Sequence, residues 1–160
     1  MLTTSIKPKL KNTLILFTLI LIPFNKAFSY PYYSQIEQEI NCLASNIYFE
    51  ARGEPLKGRM AVGFVTMNRV KKSRYPDSVC EVVFQKARNV CQFSWVCEKR
   101  LLSIREEVYN DIRKLAKTIY YGKVKDFTRG AMYFHRVDIA PKWSYSKKIS
   151  LVIGNHIFYF

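Results

Sequence analysis

From Ser34 to Arg52 the apolar positions Ile36, Ile40, Leu43 and Ile47 recur at steps of four, three and four, which draws one stripe along a helix. Gly53 is a natural C-terminal stop, and Pro55 suits the first position of a following helix. That second helix carries Leu56, Met60, Gly63, Phe64, Met67 and Val70 and ends near Lys71-Lys72, so Arg52-Gly53-Glu54-Pro55 is the corner of a helical hairpin. Tyr75-Pro76-Asp77 reads as a turn. Ser78 with Glu81 has capping-box spacing for a short helix holding Val79, Val82 and Val83. Ala87 to Arg100 reads as a loop. Ser103 with Glu106 repeats the capping box before a helix with Ile104, Val108, Leu115 and Ile119 on one side, stopped by Gly122. After Asp126 the pattern becomes β-like, with Ala131 to His135 forming one run. Ile149–Ile153 and His156–Phe160 flank Gly154-Asn155, a hairpin signal. The expected class is α+β: helices first, then a small antiparallel sheet.

The N-terminus follows another rule. Lys7, Lys9, Lys11 and Lys26 stand in the first 29 residues with no acid, around the uncharged stretch Thr13–Phe24. Ala27 and Ser29 then place small side chains before Tyr30. This is the anatomy of a secretory signal peptide over residues 1–29. A retained anchor is the alternative, but twelve residues of helix span only about 18 Å of a roughly 30 Å hydrocarbon core. The expected mature domain is residues 30–160, placed in the periplasm or otherwise outside the cytoplasm. No later segment is long and apolar enough to span a bilayer.

The chain has 160 residues, 49% hydrophobic and 24% charged, with six Gly and six Pro, which excludes disorder and collagen-like architecture and suits a single domain. Its 26 basic and 12 acidic residues give +14; without residues 1–29 the balance is +10. The positive charge is spread along helices (Arg113, Lys114 and Lys117, for example) and forms no long basic run. It predicts weak attraction to anionic envelope polymers, not a nucleic-acid partner. All four cysteines lie in the exported part, which predicts two disulfides. The short Cys91–Cys97 spacing favours that pair and leaves Cys42 with Cys80. With no CxxC and no nearby His, the cysteines do not read as a metal site, and no cofactor is called for.

Glu50 lies three residues beyond Ile47 and seven beyond Leu43, so it continues the buried stripe. A carboxyl held against apolar neighbours resists ionisation, and a proton-holding acid near neutral pH is what glycosidic cleavage needs. The plainer alternative is a stem that packs while its head reaches Arg52 or water. Glu54 is a second candidate, facing the same cleft as in paired-carboxylate glycosidases or capping the second helix. His135 and His156 are either cleft residues or structurally satisfied. Among the aromatics, Phe93, Trp95, Tyr133 and Trp143 lie in or beside loops, where they could stack on sugar faces. The sequence contains no Gly-rich phosphate loop, nucleophile elbow or HExxH.

The run CLASNIYFEARGEP over Cys42–Pro55 resembles the signature of the SleB-type cell wall hydrolases, the spore-cortex-lytic enzymes and their Gram-negative relatives. The similarity continues through Lys57–Val62, Met67–Val70, Tyr75-Pro76 and Val79-Cys80, and resumes at Cys91-Gln92-Phe93-Ser94-Trp95. Gly130–His135, Pro141-Lys142-Trp143 and Ile153–His156 look like its C-terminal blocks; Arg59 departs from the family's frequent Gln. The resemblance implies a lysozyme or lytic-transglycosylase-like core with peptidoglycan as substrate. It implies cleavage between N-acetylmuramic acid and N-acetylglucosamine, and it maps the catalytic acid onto Glu50. Glu54 is the second catalytic candidate, and Arg52, Gln92, Phe93, Trp95, Tyr133, His135, Trp143 and His156 are the expected substrate-binding residues. A non-enzymatic envelope-binding or wall-enzyme-assembly protein is the competing class. The oligomeric state is not legible in the sequence.

Overall fold

A computed structural model describes residues 29–98 and 103–160. The signal peptide expected over residues 1–29 therefore lies, but for its last residue, outside the described residues. Among these residues no helix is long and apolar enough to cross a membrane.

Helix α1 (Ser29–Ala51) runs into the expected corner, and α2 (Leu56–Val70) leaves it with Pro55 as its N-cap residue. Ile40, Leu43, Ala44, Ile47 and Tyr48 of α1 are buried at helical spacing. They meet α5 (Glu106–Tyr120) through its buried Ile112, Ala116 and Ile119. The α1–α5 contact is tied at the surface by Glu37, which pairs with Arg113 and, at 3.1 Å, with Lys117. Gly63 of α2 leaves no room for a side chain: an added Cβ would stand 2.8 Å from Ile119 Cδ1 and 3.0 Å from Ile47 Cδ1. The absent side chain is what lets α2 approach both helices.

Helix α2 is buried on two sides, not along one stripe. Phe64 joins the helical core, while Ala61, Val62 and Val65 join a second cluster with Ala51, Ala131 and Phe158. A helix enclosed on several sides is apolar on several sides. Leu56, assigned to the stripe from the sequence, is 56% exposed instead. The second cluster is roofed by the sheet: β3 (Tyr133–Arg136), β4 (Ile149–Ile153) and β5 (His156–Tyr159), in the order β3-β5-β4 and all antiparallel. The β4–β5 hairpin turns through Gly154-Asn155 as expected, with Gly154 at φ +55°. Asp126 draws the strand-leading loop onto α2, accepting from Asn68 Nδ2 at 2.9 Å and from the Gly130 N–H at 3.1 Å.

The smaller elements correct the sequence reading in two places. Helix α3 (Val79–Phe84) is capped as expected, Ser78 Oγ accepting from the Glu81 N–H at 3.3 Å. The expected loop after Ala87 contains structure: the ribbon β1 (Lys86–Ala87) with β2 (Val90–Cys91), then the single turn α4 (Ser94–Cys97). Ser103 does not cap α5. Its N-cap is Arg105, without a side-chain cap, and the Arg105 N–H donates instead to Tyr48 Oη at 2.8 Å. That long-range bond sets the helix start, leaving Ile104 ahead of it and exposed.

The disulfides join Cys42 to Cys80 and Cys91 to Cys97. The first binds α1 to α3 across a sequence separation of 38; the second closes the α4 turn across a separation of 6. Loop-closure entropy gives about 4 kcal/mol for the longer and about 2 kcal/mol for the shorter. Urea unfolding of Cys42→Ala/Cys80→Ala should therefore show roughly twice the loss seen for Cys91→Ala/Cys97→Ala. Equal losses would contradict this ranking.

Candidate active site

A cleft of about 830 Å³ opens between the end of α1, the α4 turn and β3. Glu50 stands in its wall, one residue before α1 ends. Its neighbours fix that end of the helix. Tyr48 is 1% exposed, and Phe49 stacks on Trp95 with ring centroids 4.7 Å apart. Trp95 Nε1 in turn donates to Asn46 Oδ1 at 3.0 Å, while Asn46 Nδ2 donates to Thr66 Oγ1 at 3.0 Å. Asn46 is fully buried, so this chain of bonds holds the α4 turn against α1 and α2.

Glu50 itself is half-buried, and among the described residues it accepts no hydrogen bond and has no cation within 4 Å. Burial pushes its carboxyl up from the ordinary 4.5 to about 7; the positive charge of Arg69 opposes this, and the negative charge of Glu98 adds to it. The Arg52 guanidinium sits 5.2 Å from the Tyr48 ring centroid and forms no ion pair with Glu50. The side chain thus combines a packed stem with a head open to the cleft, held at the boundary between acid and carboxylate at neutral pH.

Glu54 is placed differently. It lies outside the large cleft but shares with Glu50 a smaller recess of about 330 Å³. Its carboxylate accepts from the Asn155 N–H at 2.9 Å and from Asn155 Nδ2 at 3.1 Å, across a sequence separation of 101. Of the two alternatives for Glu54, capping of α2 is excluded: α2 has no side-chain cap, and the carboxylate takes the two donors of the hairpin turn. Gly154 permits the approach, since a Cβ there would lie 2.0 Å from Glu54 Oε2.

Arg52, Gln92, Trp95, Tyr133 and Trp143 line the large cleft, as do Phe93, His135 and His156, which are themselves buried. Both ring nitrogens of His135 are engaged. Nδ1 lies 2.7 Å from the Arg136 carbonyl, which can only accept, so Nδ1 donates there, and Nε2 shares a hydrogen bond of 2.7 Å with Tyr159 Oη. His156 is 4% exposed, with Nδ1 buried, unpartnered and 3.8 Å from Glu54 Oε1. Burial lowers its pKa against the upward pull of Glu54, so the ring is neutral at physiological pH. Tyr133, His135 and Tyr159 all meet Trp143, at centroid distances of 5.8, 5.5 and 5.6 Å, which makes one aromatic wall. Among the described residues no three His, Cys, Asp or Glu side chains gather as a metal site.

Arg69 is the cleft residue that the sequence reading missed. It is 3% exposed and lines the cleft. Its position, four residues after Val65 and seven after Val62, is the same kind of signal that singled out Glu50.

The site thus consists of helices over a small antiparallel sheet, with an acid near the end of α1 in the wall of the cleft. The profile of the Cell Wall Hydrolase family matches residues 53–159, and the chain belongs to that family. The matched span begins just after Glu50, so the placement of that residue rests on geometry. The spore cortex-lytic enzyme of Bacillus cereus is 31% identical over 140 residues, covering 85% of this chain and 49% of that one. The enzyme of the same description from Halalkalibacterium halodurans is 31% identical over 123 residues, covering 76% of this chain and 34% of its own. This chain therefore spans half or less of the length of these relatives. The crystal structure of the catalytic domain of the Bacillus cereus SleB protein matches with a TM-score of 0.61 at 30% identity, over 78% of this chain and 91% of that chain. The catalytic domain of the germination-specific lytic transglycosylase SleB from Bacillus anthracis gives the same TM-score, 0.61, over 76% and 93%.

The raised pKa makes Glu50 a stability sensor. An unfolded Glu50 releases its proton near 4.5, whereas the folded one holds it to about 7, so the native state binds more protons in that window. Its contribution to stability is complete below the lower value and is lost as pH rises through the upper. Urea denaturation should show Glu50→Gln gaining on the wild type between pH 5 and pH 8. A difference that does not change with pH would contradict the burial argument.

Proposed function

We propose that this chain cleaves the glycan strand of peptidoglycan between N-acetylmuramic acid and N-acetylglucosamine, as a lytic transglycosylase with Glu50 as its single acid/base. The observation that carries the reading is a carboxyl, protonated to about pH 7, exposed to a cleft walled by aromatic side chains. Glu50 gives its proton to the glycosidic oxygen as the bond from C1 breaks. The resulting carboxylate takes the proton of the muramyl 6-hydroxyl as O6 bonds to C1. Glu50 is restored, a 1,6-anhydro end forms and no water is consumed. In this reading Arg52, Gln92, Trp95, Tyr133 and Trp143 contact the sugars, and Phe93, His135 and His156 support the walls. The likeness to a solved domain described as a lytic transglycosylase supports the same chemistry.

The second reading, a two-carboxylate hydrolase, draws on the recess shared by Glu50 and Glu54. Against it, both Glu54 oxygens are committed to Asn155, which suits a positioning role better than that of base or nucleophile. The cell wall lies outside the cytoplasm, and we further propose that residues 1–29 direct export and that residues 30–160 act as the catalytic domain there.

Incubating residues 30–160 with sacculi and weighing the released muropeptides tests activity and chemistry together. Wild-type protein should release anhydro ends. Folded Glu50→Gln should lose about 10²–10⁴-fold in rate. Glu54→Gln should lose only part of the activity and keep the anhydro product. Products 18 Da heavier, together with a folded but dead Glu54→Gln, would establish the hydrolase instead.

A further inference from the structure

Beyond the aromatic wall, the rim of the cleft at Tyr133 gathers three cations. Arg69 is buried, its Cζ 5.2 Å from the Phe93 ring centroid, 5.6 Å from that of Tyr75 and 6.0 Å from that of Tyr133. Its Nε donates to the Met132 carbonyl at 2.8 Å, but Nη1 is buried with no hydrogen-bond partner. Arg74 Nη2 donates to Tyr133 Oη at 3.1 Å, and the same guanidinium lies 5.2 Å from the Tyr75 ring centroid. Lys147 Nζ stands 4.1 Å from the Tyr133 ring centroid.

None of these three has a carboxylate within 4 Å among the described residues, and of the three Arg69 is the buried one, at 3% exposure. Ring faces offset part of the cost of desolvating a cation, roughly 0.5–2 kcal/mol per contact. They do not satisfy an N–H such as Arg69 Nη1, and a buried charge without a counter-charge is expensive to keep. An anion with acceptor oxygens, entering from the cleft that Arg69 lines, would supply both the acceptor and the counter-charge.

We propose that Arg69, Arg74 and Lys147 form a carboxylate-binding site that reads an acidic group carried on the 3-O-lactyl arm of the muramyl residue. The proposal rests on the substrate reading above and adds what the site selects. The carboxylate has two sources: the lactyl acid itself on peptide-free strands, or the acids of the stem peptide where the lactyl carboxyl is amidated. Planar guanidinium groups suit either, and around the buried Arg69 the aromatic faces keep water away, which strengthens the contact.

The test uses Arg74→Gln/Lys147→Gln in residues 30–160, because neither side chain belongs to the core. Binding is measured in a Glu50→Gln background, so that nothing is cleaved. The probes are soluble peptide-bearing strands, amidase-treated peptide-free strands, and both again after conversion of their carboxyls to amides. Charge removal should weaken binding of carboxylate-bearing strands roughly five- to tenfold, raise KM more than it lowers kcat in the active protein, and leave binding of amidated strands unchanged. A loss confined to peptide-bearing strands assigns the carboxylate to the stem. A loss confined to peptide-free strands assigns it to the lactyl acid, and a loss on both means the rim takes either. Unchanged binding throughout, or an equal loss on amidated strands, overturns the proposal while normal cleavage leaves the substrate reading standing. Absence of binding and cleavage with every strand removes that reading, and the proposal with it.

Discussion

The structure depends on where α1 is allowed to end. Tyr48 is packed into the core and its hydroxyl oxygen accepts the Arg105 N–H at the incoming end of α5, Phe49 stacks on Trp95, and Asn46 bonds both α2 and the α4 turn. With the last full turn before it so fixed, Glu50 is held in the wall of the cleft. Held half-buried without a donor or an adjacent cation, it keeps its proton to about pH 7. The disulfide-closed α4 turn and the β3 wall then define what can approach that proton.

The sheet is positioned by a second constraint, which acts at a distance. Glu54 leaves the helical corner and takes both donors of Asn155, so the β4–β5 turn is latched to the residue that separates α1 from α2. His156, next along β5, lies beneath this latch as a neutral ring. One carboxylate near the cleft is thereby committed to holding the wall, and the other stays free to exchange its proton. Arg69 adds a field in the opposite sense: its charge lowers the Glu50 pKa that burial raises, so the acid is poised and not permanently neutral.

What could be read from the sequence was mostly local. The helical hairpin, the Ser78 cap, the Gly122 stop and the Gly154-Asn155 turn depend on neighbours a few residues apart, and each is present. The inward placement of Glu50 followed from periodicity alone. The α5 start, set by a bond from Arg105 to Tyr48, escaped a capping-box reading because its determinant is a residue far back in α1. The Glu54–Asn155 latch escaped for the same reason. Leu56 was misplaced because a one-stripe rule assumes one buried face, and α2 has two. The role of Arg69 is not legible in its spacing, because the three aromatic rings that surround it come from Tyr75, Phe93 and Tyr133, outside its own helix.

Membership in the Cell Wall Hydrolase family and the fold shared with the SleB catalytic domains give this architecture a chemical setting. The central claim is narrower and physical: the carboxyl at the end of α1 is a proton reservoir at neutral pH. Carbon-detected NMR titration of the Glu50 side-chain carboxyl measures that directly. The account predicts a midpoint near 7; a midpoint at the ordinary 4.5 would contradict it.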